Sequence, residues 1–241
     1  MIFGTHRQYN PRPKSVWRRM EQERDFLKYV AELKPSRMNI FSLALDDDLG
    51  FGVFAMQEFG TEQYVTWTSY TDDRSTAQVS RSTPVGCGNL AEVERWLEAG
   101  FRITACGARH DTFYYVMTAG AKGFEGMRQR CILRATWAEV EAELKHTAGM
   151  VMTGICYSMK LGIYLVVTTE SSAKQRRWWR DSGMDHDYTW LDDLCQKGFH
   201  QTIYFRCPRT KKVLDVVTED KNILGCSIYK GYTIERYYQN V

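Results

Sequence analysis

Several short stretches of the chain carry residue types that could do chemistry. Residues 46–48 are three consecutive aspartates, and carboxylate oxygens are the ligands that a hard cation prefers. No EF-hand-like spacing of further ligands surrounds them, and aspartate is favoured in turns, so a turn is the favoured interpretation. His186 lies between two aspartates and could act as a general base, but no serine or cysteine nucleophile stands at a fitting spacing. Neither stretch predicts a catalytic or metal-binding site.

Glycine, cysteine and histidine form no stronger pattern. Glycines at positions 120, 123 and 126 lack the G-x-x-x-x-G-K-[ST] order of a phosphate loop and follow a predicted hairpin strand. The seven cysteines form no C-x-x-C pair, and the five histidines are scattered singly. This distribution indicates buried, reduced thiols rather than a zinc site or a disulfide framework. We therefore predict a protein that is not an enzyme, with no catalytic residue, no metal and no cofactor.

The strongest surface signal in the body of the chain is Lys174–Arg180, where basic and aromatic residues are interleaved. Such a segment can hold phosphates and stack bases, and it can equally form a protein interface, where tryptophan and arginine dominate the binding energy. A third interpretation is a strand whose two tryptophans face opposite ways, with one buried and the other covered by arginine stems. The candidate partner-binding residues are Arg176, Arg177, Trp178, Trp179 and Arg180.

Charge is distributed unevenly along the chain. The formal net charge is +3, but residues 1–20 hold five basic residues and no acid, while the remainder is slightly acidic. We predict that residues 1–20 form an extended basic N-terminal arm that docks on a partner. The candidate docking residues in the arm are Arg7, Arg12, Lys14, Arg18 and Arg19. Ser15–Leu33 also fits a helix, with Ser15 as its N-cap and Pro35 just past its end.

The sequence repeats itself with a period of 49 residues. Glycine recurs at positions 100, 149 and 198, and threonine recurs at positions 104, 153 and 202. Each copy begins with a short helical pattern and continues with a β-hairpin and a third β-rich run. We predict an α+β fold in which four helix–β-hairpin(–strand) repeats stack or close around one core. The arm precedes a body over 21–241, with units at about 26–68, 90–134, 137–180 and 189–236.

The motif within these copies resembles a known family. The pattern W-x-x-x-G-[FY]-x-[IV]-T-A, followed by V-M-[ST]-x-G and G-F, resembles the repeats in the non-kinase C-terminal region of plant casein-kinase-one-like (photoregulatory) protein kinases. The second unit matches most fully, at Trp96, Gly100, Phe101, Ile103, Thr104, Ala105, Val116, Met117, Gly120, Gly123 and Phe124. The resemblance implies a shared repeat scaffold over roughly 26–236. It implies no catalytic residues, because the chain has no H-R-D, D-F-G or V-A-I-K motif.

These observations favour a structural role. We predict a non-enzymatic scaffolding repeat protein of the cytoplasm that docks into a larger intracellular assembly through its arm and its repeat faces. An acidic filament such as the microtubule lattice, built of tubulin, would suit the arm and indicates the cytoskeleton of a cilium or flagellum. One alternative is a nucleic-acid-binding or ribonucleoprotein component, and another is a ligand-binding or regulatory module partnered to a kinase. No membrane is predicted as a partner, because no apolar run approaches ~20 residues.

Overall fold

A computed structural model describes most of the chain. The described residues are 15–35, 37–46, 50–57, 62–69, 90–121, 124, 126–181, 193–194, 196–219 and 227–228. Within them, thirteen strands form four small sheets, and three helices lie between strands along the chain. The coarse expectation of an α+β chain is confirmed, with strands in the majority.

The first three sheets share one topology, in which an outer strand, a helix and a hairpin follow one another. The first sheet comprises β1 (Ser15–Met20), α1 (Glu23–Leu33), β2 (Met38–Asp46) and β3 (Gly50–Gln57). The second comprises β4 (Glu62–Ser69), α2 (Leu90–Glu98), β5 (Arg102–Arg109) and β6 (Thr112–Ala119). The third comprises β7 (Gln129–Arg134), α3 (Trp137–His146), β8 (Met150–Ser158) and β9 (Ile163–Glu170). In each, the second hairpin strand lies in the middle and pairs antiparallel with both neighbours.

The fourth sheet has the same antiparallel core and one additional strand. It comprises β10 (Gln175–Arg180), β11 (His200–Arg206), β12 (Val213–Thr218) and the two-residue β13 (Ser227–Ile228), in the order β10-β12-β11-β13. β13 pairs parallel with β11 and also contacts β2 and β8. Residues 193–194 and 196 are helical, but no helix with described bounds precedes this hairpin.

Two expectations from the sequence are corrected at the outer strands. Residues 15–33 do not form one helix, because Ser15–Met20 pairs with β3 as a strand and the helix begins at Glu23. Pairing with β3 satisfies the backbone of this segment and overrides its helical apolar spacing. The third strand of each of the first three predicted units pairs with the next hairpin along the chain, not with its own. The hydrogen-bonded group is therefore strand, helix and hairpin.

Local sequence explains where the helices begin and end. Thr136 caps α3 by accepting a hydrogen bond from the backbone N–H of Glu139, whose carboxylate accepts one from the backbone N–H of Thr136. Gly100 and Gly149 follow α2 and α3 with φ angles of +91° and +76°. A side chain is disfavoured in this left-handed region, so glycine stops the helix and turns the chain into the hairpin.

The sheets pack face to face in chain order. The first hairpin strands are adjacent, because β2 contacts β5, β5 contacts β8, and β8 contacts β11. A separate apolar cluster lies at each of the three interfaces, and Phe51, Phe113 and Val166 are fully buried members of the successive clusters. Gly107 permits the approach of β5 to β2, since a Cβ there would lie 2.6 Å from Cγ of Leu45.

A recurring glutamine joins each sheet to the next, and we call it a glutamine clasp. In each clasp, a glutamine of an outer strand makes two hydrogen bonds with the backbone of one residue in the preceding sheet. Its side-chain oxygen accepts a hydrogen bond from the N–H of that residue, and its side-chain nitrogen donates one to the C=O. The same amide donates to a threonine hydroxyl in its own sheet. The three clasps join Gln63 to Ile40 and Thr118, Gln129 to Ile103 and Thr169, and Gln175 to Met152 and Thr218, over 2.6–3.3 Å.

The clasps explain why threonine recurs in the sequence. Each clasped residue immediately precedes a register shift, and the residue at the shift is Thr104 in the second sheet and Thr153 in the third. Their hydroxyls lie 2.7 Å from the hydroxyls of Thr118 and Thr169, which also accept from the clasping glutamines. Buried polar groups need such partners, so this network fixes both the bulge and the neighbouring sheet.

Candidate functional site

The basic and aromatic segment singled out in the sequence forms β10, the outer strand of the fourth sheet. Because successive side chains of a strand point to opposite faces, the segment divides into two sets. Gln175 and Trp179 face the third sheet: Gln175 clasps Met152, and the Trp179 ring lies 4.9 Å from that of Trp137. Arg176, Trp178 and Arg180 therefore lie on the other, outward face. The structure does not bring all five candidate residues onto one surface.

On the outward face of the fourth sheet, Trp178 is exposed, whereas Asp215 and Val217 of the central strand β12 are buried. Trp178 stands opposite Asp215 in the pairing of β10 with β12, and Ile132 stands opposite Val166 at the same place in the third sheet. Ile132 is 4% exposed within the cluster between the third and fourth sheets, whereas Trp178 is 59% exposed. A tryptophan at a position that neighbouring sheets would bury is a candidate contact for a partner.

Arg180 is held within the sheet. Its Nε donates to a carboxylate oxygen of Asp215 at 2.7 Å, and the Gln201 amide donates to the other oxygen at 2.6 Å. The Arg180 side chain is 15% exposed and that of Asp215 is 1% exposed. Burial raises the pKa of the Asp215 carboxyl, and the bond from Arg180 opposes that shift. Because its charge is balanced by Asp215, Arg180 positions the face rather than attracting a partner.

Arg176 and Arg177 precede Trp178 and point to opposite faces of the sheet, and both are exposed. The guanidinium of Arg176 lies 5.3 Å from the centre of the Phe199 ring, which fixes its direction along the outward face. Partial desolvation lowers the pKa of Arg177, while the nearby Glu141 carboxylate on α3 raises it. Both guanidinium groups are thus exposed at the rim of the sheet.

A second basic cluster lies at the tip of the hairpin between β11 and β12. It consists of four exposed residues, Arg206, Arg209, Lys211 and Lys212. The pairing of β10, β12 and β11 aligns Arg206 with Arg180 across the sheet. It also aligns Tyr204, two residues before Arg206, with Trp178. Among the described residues no carboxylate pairs with Arg206 or Lys211, and Lys212 lies 3.7 Å from Asp181.

Sequence reasoning missed this second cluster. Its members are far from Lys174–Arg180 along the chain, and only the hairpin brings the two groups together. One signal was present, since the run from Arg206 to Lys212 contains four basic residues and no acid. Over residues 174–181, 193–194 and 196–219, the fourth sheet and its flanks hold nine basic and four acidic residues. The positive charge of the described residues is thus concentrated on one sheet, and we call its outward face, with the hairpin tip, the basic face.

The candidate residues of the predicted arm have a separate location. Arg18 and Arg19 are exposed on β1 of the first sheet, so this part of the 1–20 range belongs to the folded body. The Arg18 guanidinium lies 4.7 Å from the Tyr29 ring centre and 3.4 Å from the Glu32 carboxylate on α1. Arg7, Arg12 and Lys14 lie outside the described residues.

The described residues bring together no set of three or more histidine, cysteine, aspartate or glutamate side chains that could hold a metal ion. They also contain no helix long and apolar enough to cross a membrane. No family model, no curated protein and no solved structure matches the chain. The basic face is therefore the feature from which a function can be argued.

Proposed function

We propose that this chain is a non-enzymatic scaffolding protein that docks into a larger intracellular assembly through the basic face. The observation that carries the proposal is the exposure of Trp178, at 59%, beside Arg176 and near Arg206. Exposed tryptophan and arginine together are typical of the residues that dominate protein interfaces. The excess of basic residues on the same sheet selects an acidic partner.

The body that presents this face is, on our proposal, four copies of one strand–helix–hairpin repeat. Three glutamine clasps and the threonine pairs beside them recur at equivalent register positions, which favours a common repeat over chance similarity. On the outward face of the fourth sheet, the polar Asp215 and Gln201 stand where the third sheet carries Val166 and Met152.

The partner we propose is an acidic filament surface, with the microtubule lattice as the specific candidate, in the cytoskeleton of a cilium or flagellum. A surface rich in carboxylates complements the excess of basic over acidic residues, nine against four, on and around this sheet. Attraction of this kind depends on ionic strength, because exposed charges are screened over about 10 Å at 0.1 M salt.

Co-sedimentation with microtubules tests the proposal. The face variant combines Arg176→Gln, Trp178→Ala and Arg206→Gln. The control variant combines Arg128→Gln, Arg130→Gln and Trp67→Ala, which removes the same residue types at exposed positions in or next to the second and third sheets. We expect the face variant to bind about tenfold more weakly than the parent, and the control to match the parent. Equal binding by all three proteins would refute docking through the basic face.

The contribution of the N-terminal residues needs a separate variant. A chain lacking residues 1–20 would lose β1 and with it one edge of the first sheet, so weaker binding would not distinguish docking from unfolding. A chain lacking residues 1–14 keeps β1 and removes Arg7, Arg12 and Lys14. We expect it to bind more weakly if these residues contribute to docking, and unchanged sedimentation would refute the predicted role of the arm.

A nucleic-acid-binding component is the second candidate, because an exposed tryptophan beside arginine can stack on a base. This function predicts a steep linear fall of log affinity for single-stranded oligonucleotides with log salt concentration. It also predicts a loss of about 1–3 kcal/mol of binding free energy for Trp178→Ala. Binding to oligonucleotides that does not change with Trp178→Ala would exclude base stacking at this site.

A further inference from the structure

The short strand β13 contacts three of the four sheets. It pairs parallel with β11 of the fourth sheet, where Ser227 stands opposite Ile203 and Ile228 stands opposite Tyr204. Its Cα atoms also lie within 8 Å of Cα atoms of β2 in the first sheet and of β8 in the third. A strand of two residues therefore links the last of the described sheets to the first.

These contacts argue against an open stack of the four sheets. Packed sheets lie about 10 Å apart, so an open stack would place β2 about 30 Å from β11. A strand of two residues spans only about 7 Å. It can contact β2 and β11 at once only if the succession of neighbouring strands from β2 through β5 and β8 to β11 curves back on itself.

The outward face of the fourth sheet is buried along its central strand. Val213 and Asp215 of β12 are each 1% exposed. They take the register positions of Tyr164 and Val166 in β9, which pack in the cluster between the third and fourth sheets. Burial at these positions is expected if the first sheet packs on the fourth as the fourth packs on the third.

The connector between the fourth and first sheets differs from the other three connectors. The clasping glutamines Gln63, Gln129 and Gln175 share one register position, and Ser15 occupies that position in the first sheet, opposite Met56 of β3. Since β1 contains no glutamine, it cannot form a clasp of the same kind. Instead, β13 contacts strands of both sheets at this junction.

We propose that the four sheets close into a ring and that β13 is the strap that closes it. The inner strands β2, β5, β8 and β11 lie around the axis of the ring, and the outer strands β1, β4, β7 and β10 lie at its periphery. This radial arrangement of sheets is that of a β-propeller. Closure makes β1 and β10 neighbours, so that Arg18 and the basic face lie on adjacent sheets whichever partner binds there.

Distances between outer strands distinguish a ring from an open stack. Nitroxide labels are attached in pairs to the full chain at Arg18, Arg130 and Arg176, which are exposed residues of the first, third and fourth sheets. Each labelled arginine is replaced by p-acetylphenylalanine, which reacts with a hydroxylamine nitroxide and leaves the native cysteines unlabelled. Double electron–electron resonance then measures the distance between the two labels.

The order of two distances gives the result. In a ring the first and fourth sheets are neighbours and the first and third are opposite, so we expect a shorter distance from Arg18 to Arg176 than from Arg18 to Arg130. An open stack reverses this order, with about 30 Å between the first and fourth sheets and about 20 Å between the first and third. The reversed order would overturn the ring.

A variant of β13 tests the strap. Ser227→Pro and Ile228→Pro together remove both backbone N–H groups of β13 and so disrupt its pairing with β11. We expect the distance from Arg18 to Arg176 to lengthen by about one sheet spacing, about 10 Å, while the distance from Arg18 to Arg130 stays unchanged. Circular dichroism verifies that the variant is folded.

Two outcomes would overturn the role of β13 as the strap. In the first, the distance from Arg18 to Arg176 is the same in the proline variant as in the parent. In the second, both distances are lost in the variant, because β13 would then hold the whole fold together rather than one junction of the ring.

Discussion

Replacing one clasping glutamine measures how strongly the sheets are joined. Gln129 is 7% exposed, and its amide makes three hydrogen bonds: with the N–H of Ile103 at 2.6 Å, with the C=O of Ile103 at 3.2 Å and with Thr169 at 3.0 Å. Gln129→Met keeps the length and removes all three. Ile103 is fully buried, so its backbone groups lose their side-chain partner without access to water. Each such loss costs about 1–3 kcal/mol, and we expect about 3 kcal/mol in total.

Urea unfolding, with the free energy extrapolated linearly to water, provides the measurement. Gln175→Met removes an equivalent clasp at a partly buried site, where water can replace some bonds, so we expect about 1–2 kcal/mol. Gln196 is exposed and serves as the control, with an effect of Gln196→Met within about 0.5 kcal/mol. A loss below about 1 kcal/mol for Gln129→Met, or one equal to that of the control, would refute the clasp as a stabilising junction.

Three further perturbations are specific to single sites. Trp179→Ala should cost about 3 kcal/mol of unfolding free energy because the indole packs on Trp137. The neighbouring Trp178→Ala should stay within about 0.5 kcal/mol, and equal losses in thermal unfolding would contradict the assignment of faces. A hydrogen bond from Lys160 holds the pKa of Asp111 below its ordinary value, so the pair stabilises the fold above about pH 4 and the gain is lost in acid. Asp111→Asn should therefore be less stable by about 0.5 kcal/mol at pH 7, with the gap closing below about pH 4, and a gap that persists in acid would argue against the pair. Gly149→Ala should cost about 1 kcal/mol by denaturant unfolding, since φ is +76° and nothing lies within 4 Å, and an unchanged midpoint would contradict a conformational origin.

The sequence predicted local elements well where one short segment determines them. The apolar spacing of 90–98 and 137–146, with a glycine after each, was sufficient for α2 and α3. Hairpin positions followed from the 49-residue spacing. The sequence did not predict which strands pair. For example, β4 precedes its partner β6 by more than forty residues, and only the assembled sheet selects that partner.

The N-terminal segment illustrates the same limit in a single element. Ser15–Leu33 satisfied a helical pattern, yet Ser15–Met20 became an outer strand because β3 offered an open edge. Only part of the basic face could be predicted from the sequence, for a related reason. Lys174–Arg180 is continuous in sequence, whereas Arg206 joins it across β12. Spatial neighbours contributed by different strands require the register, which the sequence alone did not provide.

The glutamine clasps have a consequence for how the number of units in such a chain can increase during evolution. Each clasp joins a side chain at the start of one group to the main chain of the group before it, and the main-chain partner is Ile40, Ile103 or Met152. Because the acceptor is backbone, the junction does not depend on which side chain stands there. In the repeat organisation that we propose, a newly duplicated unit would already contain the glutamine that joins it to the unit before it. Tandem gene duplication could therefore lengthen the array before any interface residue had changed.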